Sequence, residues 1–245
     1  MDETIGLRLI EELKEDTEKF RKEDGAYQLL QVYFEGFSKE TLRDLLCYED
    51  KHIRQIALWI ISELGKDAEN LLGEVVSQMD DVDPFICYYS SEIVACIATD
   101  KYMDDFMKVF TFFDHPNAKI RTLIMFIIST LADSRIQEAY TYSINNKILG
   151  DSHEKGLSFL MNVNSLSNSD ITALVNSHDS VIRKYGVIIA SKVYEKYPEI
   201  IKDSVNSEDL DVQVFSKTEV QAKAKIAQFE HMMPVFKTRE IGSFA

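Results

Sequence analysis

The sequence predicts an all-α protein, a solenoid of about five to six stacked helix pairs, and three observations predict it. A short motif recurs: a polar or acidic turn, an aliphatic anchor, often an arginine, and then apolar residues at i, i+3, i+4 and i+7, the spacing of one helix face. The copies keep a near-constant period. Anchors Ile53, Ile86 and Ile120 lie 33 and 34 residues apart, and Ile182 and Val212 lie 30 apart, the range of helical repeats. Glycine and proline are scarce, 9 and 4 in 245 residues. That is too few for a sandwich or barrel, which needs a turn signal about every 8–12 residues.

Taken in order, Glu3–Arg21 and Ala26–Phe37 read as two capping helices, so residues 1–37 form an N-terminal cap. Repeats fill residues 38–225 of a single domain, 1–245, and residues 226–245 form a tail without clear period. The first motif is Glu49-Asp50-Lys51-His52-Ile53-Arg54, followed by Ile56, Ala57, Ile60, Ile61 and Leu64. The second, Asp83-Pro84-Phe85-Ile86, continues with Tyr89, Ser90, Ile93, Val94 and Ile97. The third runs from Asp114 to Arg121 and then Leu123, Ile124, Ile127, Ile128 and Leu131. A fourth, in Asp151–Ser165, is degenerate. Glu154-Lys155 stands at its anchor, with Leu157, Ser158 and Met161 on its apolar stripe. His178-Asp179-Ser180-Val181-Ile182-Arg183 opens the fifth, and Glu208-Asp209-Leu210-Asp211-Val212-Gln213 a weaker last copy.

Each motif helix follows another amphipathic segment: Thr41–Cys47, Leu71–Met79, Phe106–Phe113, Ile136–Ile144, Ile171–Val175 and Val193–Ile201. One pair cannot bury its own apolar faces, so stacked neighbours must supply the core. Asp83-Pro84 and His115-Pro116 suit the N-cap and first position of a helix. Each motif arginine sits in a first turn, where the helix dipole disfavours it, so it should reach an acidic residue of a neighbouring turn.

An Asp-Pro turn leading to an aliphatic residue and arginine, at this spacing, resembles HEAT repeats over about residues 38–225. The second copy departs from the pattern, with Cys87 where the arginine should stand. The resemblance implies a right-handed superhelix whose motif helices line a concave face that holds a partner. It is silent about chemistry, since helical solenoids also include alkylation-repair DNA glycosylases and bilin lyases.

Charge narrows the function. The net −14 is uneven: residues 1–115 hold 26 Asp/Glu and 12 Lys/Arg, whereas residues 116–245 hold 15 of each. Such a field repels phosphate backbones and steers basic proteins, so a basic protein partner is expected and nucleic acid is not. Met1-Asp2-Glu3 is acidic where a signal peptide is basic, and no stretch of 18 uninterrupted apolar residues offers a membrane span. Cys47, Cys87 and Cys96 lack CxxC spacing and read as buried thiols of a reducing compartment, which gives the cytoplasm as location.

No nucleotide-loop, Walker or GxSxG motif appears, so no catalytic residue, cofactor or metal site is expected. The histidines His52, His115, His153 and His178 fall in the turns opening motif helices and read as turn caps, without metal-ligand spacing. Asp80-Asp81 and Asp104-Asp105 read as parts of the acidic field. Opposite the apolar stripe lie Gln55, Trp59, Ser62 and Glu63, then Tyr88, Glu92, Ala95 and Cys96, then Thr122, Phe126, Ser129 and Thr130. Trp59, Tyr88 and Phe126, interleaved with Glu63 and Glu92, have the composition of a protein-binding hot spot. The candidate partner-binding set is therefore Gln55, Trp59, Glu63, Tyr88, Glu92, Thr122, Phe126, Asp80, Asp81, Asp104 and Asp105.

The expected function is a non-enzymatic binding protein, monomeric on its own. Its small size, acidity and fold resemble bacterial immunity proteins that neutralise basic toxins such as nucleases. A general scaffold or adaptor is the alternative. A glycosylase-like enzyme is the distant third, resting on a basic stripe of Lys184, Lys192 and Lys196.

Overall fold

A computed structural model describes residues 3–232, with side chains through residue 225. The described residues are helical throughout, joined by turns and short 3-10 segments, with no strand among them. The chain divides into two compact units, Met1–Glu154 and Lys155–Ala245.

In the first unit, α1 (Glu3–Glu15), α2 (Thr17–Lys22) and α3 (Gly25–Phe34) form the cap. The sequence reads Glu3–Arg21 as one helix; Asp16 divides it by accepting the Lys19 amide at 2.9 Å as the N-cap of α2. The pairs follow as α4 (Glu40–Leu46) with α5 (Lys51–Leu64), α6 (Leu72–Val76) with α7 (Pro84–Ile97), and α8 (Met103–Thr111) with α9 (Ala118–Thr130). Next comes α10 (Asp133–Asn146). Each first helix packs on its motif helix, α5 packs on α7, and α7 packs on α9. Nearest-neighbour stacking of this kind defines a helical repeat array. Leu42, Leu45, Ile53, Ile60, Ile61, Val75, Ile86, Phe106, Phe110 and Ile124 are buried between the rows. Each such side chain contributes roughly 1.5–3 kcal/mol by leaving water.

The turns repeat one another chemically. Asp50 accepts the His52 amide at 2.8 Å, and Asp83 accepts those of Phe85 and Ile86 at 3.0 and 3.4 Å. Asn117 accepts the Lys119 amide at 3.0 Å. The expected His115-Pro116 cap is thus displaced by two residues, to Asn117; His115 Nδ1 instead accepts the Asn117 amide at 3.0 Å. Motif arginine Arg54 reaches across repeats, as its position predicts, whereas Arg121 holds the His115 and Pro116 carbonyls of its own turn. Arg54 donates to the Tyr48 and Glu49 carbonyls at 2.9 and 3.0 Å and to Asp81, one repeat on, at 3.0 Å.

Helix α11 (Asp151–Met161), the degenerate fourth copy, carries the boundary between the units. Its buried face is His153, Gly156, Leu157 and Leu160, a stripe rotated from the expected Leu157, Ser158 and Met161. The second unit continues with α12 (Asn168–Val175), α13 (Ser180–Lys192), α14 (Pro198–Ser204) and α15 (Leu210–Met232). The expected Val193–Ile201 helix starts later because Pro198 takes the first position of α14. There α12 packs on α13, α14 on both, and α15 on α13 and α14. Asp179 and Asp209 cap α13 and α15, and Arg183 joins the Ser177 and His178 carbonyls to Asp209 at 2.7–3.0 Å. Gly156 faces Tyr185 so closely that a Cβ there would lie 2.0 Å from the ring. The tail expected over 226–245 is described only as the backbone of α15 up to Met232; residues 233–245 lie outside the described residues.

Several expected exposures and burials change. Cys47 and Cys96 are exposed, and only Cys87 is buried, which pushes its thiol up to about 11. Ala95, placed opposite the apolar stripe by periodicity, is fully buried. The C-terminal basic stripe does not form. Lys184 is 3% exposed and paired with Asp211 at 3.3 Å, and Lys196 lies beyond the end of α13. No helix among the described residues is long and apolar enough to cross a membrane.

Candidate functional site

The rungs from α5 and α7 meet in the first unit. Helix periodicity places Trp59 and Glu63 one turn apart on α5, and Tyr88 and Glu92 one turn apart on α7. Because α5 and α7 pack side by side, the two aromatic–carboxylate pairs are neighbours. A cavity of about 350 Å³ opens between these helices and the cap, with Trp59, Gln55, Tyr89, Phe85, His52 and Arg21 in its walls. Trp59 and Tyr89 are half-buried and Phe85 is 43% exposed, so the cavity offers aromatic surface to solvent.

The carboxylates are the unusual part. Tyr88 donates its hydroxyl to Glu92 at 2.9 Å, and its ring lies edge-on to Tyr89 at 5.2 Å. Burial pushes the Glu92 carboxyl up, the Tyr88 bond pulls it back, and the charge of Glu63 adds to the rise. Burial, with the negative charges of Glu92 and Glu63 behind it, raises the Tyr89 hydroxyl as well, while Arg21 lowers it. Neither Glu63 nor Glu92 has an ion-pair partner among the described residues. Glu92 is half-buried and Glu63 is exposed; a half-buried negative charge without an ion pair costs folding free energy and is available to a cation.

Other predicted residues are engaged elsewhere. Gln55 donates to Asp83 at 2.9 Å and meets His52 Nδ1 at 3.3 Å, so it braces the turn as well as lining the cavity. Thr122 bonds the Ala118 carbonyl of its own helix at 3.1 Å. Phe126 is half-buried on α9. The acidic pairs do not join the cavity. Asp80 pairs with Lys108 at 2.6 Å, Asp81 with Arg54, and Asp104 accepts the Tyr142 hydroxyl at 2.9 Å. Asp105 is half-buried on α8, and burial, with Asp104 beside it, raises its carboxyl despite Lys108.

Sequence reasoning missed Phe85, Tyr89, His52 and Arg21 as cavity residues. Tyr89 reads as part of the core stripe, yet α7 turns Ile86, Ser90, Ile93, Val94 and Ile97 inward and leaves Tyr89 at the edge. Phe85 stands immediately after the helix-opening proline, where a side chain faces outward, and that signal was legible. Arg21 reaches the cavity only through packing of the cap, which no local pattern encodes.

No group of three or more metal-ligating side chains converges among the described residues. The histidines expected as turn caps divide. His115 caps a turn, whereas His153 is buried against Phe113 with ring centroids 5.8 Å apart.

No family model matches the sequence, and no curated protein matches it significantly. Among solved structures, it is loosely similar to an engineered protein from a structural genomics consortium, at 14% identity and TM-score 0.37, covering 81% of this chain and 82% of that one. It is similar to a designed armadillo repeat protein at 14% identity and TM-score 0.35, covering 76% and 99%. A second engineered protein matches at 13% and 0.35, covering 81% and 60%. At these scores the likenesses carry no argument, and the reading of the fold rests on the helix packing described above.

Proposed function

We propose that this protein is a non-enzymatic binding protein whose first unit captures a basic partner protein on the exposed side of its motif helices. The most specific form of this reading is an immunity or inhibitor protein that neutralises a basic toxin such as a nuclease. One observation carries it: the whole net charge belongs to the first unit, which holds 30 Asp/Glu against 16 Lys/Arg, while the second holds 11 of each. Glu63 and Glu92 add unpaired carboxylates beside exposed aromatic surface. An acidic face of this kind attracts a basic partner over a distance and can cover its anion-binding groove. Burial of Lys184 weighs against the glycosylase-like alternative, which needs a cationic groove to hold a phosphate backbone.

The test is co-purification of the tagged chain from native cells with mass spectrometry, followed by reconstitution from purified components. Stoichiometric recovery of one small basic protein, with an affinity that falls as salt rises and is lost in Glu92→Lys, supports the reading. Binding of duplex DNA at about 0.15 M salt, where surface charges are already screened beyond ~8 Å, overturns it.

A further inference from the structure

We infer that the cavity between α5, α7 and the cap is a binding site for a small aromatic carboxylate, whose ring lies among Trp59, Tyr89 and Phe85 and whose carboxylate meets Arg21. This goes beyond the capture of a protein partner and stands on the walls of the cavity alone.

The lining selects the ring. Three aromatic side chains line one space, with Trp59 and Tyr89 half-buried and Phe85 exposed. Ile56 and Ala26 complete the apolar part of the wall. A volume of about 350 Å³ stands at the lower end for small-ligand sites, roughly 300–1,000 Å³. It takes one ring with a short substituent and is too small for a docked helix. Aromatic walls favour a planar guest, because rings gain from edge-on or offset contact with one another beyond the area they bury.

Charge selects the substituent. Arg21 lines the cavity, and Lys119 Nζ sits 3.9 Å from the centroid of Phe85. Neither cation has an ion-pair partner among the described residues. No carboxylate lines the cavity. Glu63 and Glu92 act on the Tyr89 hydroxyl from outside its walls, and Asp83 is already held by Lys51 and Gln55. The uncommitted polar groups are donors as well. The Trp59 indole N–H and the Tyr89 hydroxyl have no hydrogen-bond partner among the described residues, whereas the Gln55 amide is engaged by His52 and Asp83. Walls of donors and cations call for an occupant with acceptors and a negative charge, and a guanidinium grips a carboxylate through two parallel hydrogen bonds. The acidic excess of the first unit does not reverse this preference, since exposed charges beyond ~8 Å are screened at about 0.15 M salt.

Trp59 is the only tryptophan of the chain and lines the cavity, so its fluorescence reports on the site. Phenylacetate, phenylacetamide, phenethylammonium and acetate, which keep or lose the ring and the charge in turn, are titrated into the full chain at constant ionic strength and pH 7. Phenylacetate is expected to change the Trp59 emission saturably at about millimolar concentration, the range for a ligand of about ten heavy atoms. It should bind at least about threefold more tightly than phenylacetamide, the scale of an exposed charge pair. Phenethylammonium and acetate are expected to give no saturable response. Arg21→Gln and Lys119→Glu should each weaken phenylacetate about threefold, and the melting temperature should hold because both residues are exposed. Phenethylammonium or acetate binding as tightly as phenylacetate overturns the inference, and so does equal binding of the acid and its amide. No saturable response to phenylacetate up to tens of millimolar, or an affinity unchanged in both variants, overturns it too. None of these outcomes touches the capture of a basic protein, which is read from the salt-dependent affinity of that partner.

Discussion

Glu92 shows how a single residue can be costly to the fold and useful to binding. Its carboxyl is raised in the folded state, so its favourable contribution is fully present below the unfolded value, about 4.3, and is lost as pH rises through the folded one. Glu92→Gln should therefore raise the melting temperature at pH 7 while weakening the proposed basic partner, and scanning calorimetry at pH 4 and pH 7 checks the first half. Asp83 behaves oppositely. Burial would raise its carboxyl, but bonds from Lys51, the Phe85 amide, Gln55 and the Ile86 amide hold it below the usual range. Its stabilisation is present above about pH 3.9 and is lost as pH falls through the lowered value. Asp83→Ala should cost about 1–2 kcal/mol in urea denaturation at pH 7, and much less near pH 2. Trp59→Ala should weaken the partner with little change in melting temperature, because the ring is only half-buried; a large thermal loss would make Trp59 part of the core.

At the scale of the element, the turn that opens each motif helix ties one repeat to the next. Asp50, Asp83, Asn117, Asp179 and Asp209 accept first-turn amides of their own helices. Arg54 and Arg183 close their own turns through two carbonyls and grip the following one through Asp81 and Asp209. Arg183→Ala should cost about 1.5–3 kcal/mol, the range for hydrogen bonds to charged groups, measured by urea denaturation. Arg183→Lys should recover only part of this, because an ammonium cannot reach the two carbonyls and the carboxylate in one plane. These turns were legible in the sequence, since the cap residue, anchor and arginine recur at fixed offsets. The degenerate copy was legible as an exception but not in its detail. Gly156 matters because Tyr185, 29 positions on, fills the space above it. Gly156→Ala should cost about 1–3 kcal/mol through overpacking.

Over the whole molecule, charge and contact are divided between the two units. The first carries the entire net negative charge and the aromatic cavity, and the second is neutral with its one deeply placed lysine already paired. Association with a basic partner should therefore be fast at low salt and slow by about tenfold or more as ionic strength rises, while dissociation changes less. Stopped-flow measurement between about 0.02 and 0.5 M salt checks it. A rate indifferent to salt would remove electrostatic steering from the account.

The sequence by itself determined the helix pairs, their period, their capped turns and the uneven charge, because each is a local pattern or a simple sum. Periodicity also singled out Trp59, Glu63, Tyr88 and Glu92 as residues off the core stripe. Tertiary structure decided what those residues meet. The packing of α5, α7 and the cap enclosed Phe85, Tyr89 and Arg21 around Trp59, buried Ala95, and set Asp80, Asp81 and Asp104 to holding the fold. Lys184, charged and exposed on paper, is buried because Asp211 stands opposite it. Sequence spacing records which side of its own helix a residue occupies; which neighbour covers that side follows from side-chain volumes and charges far away in the chain.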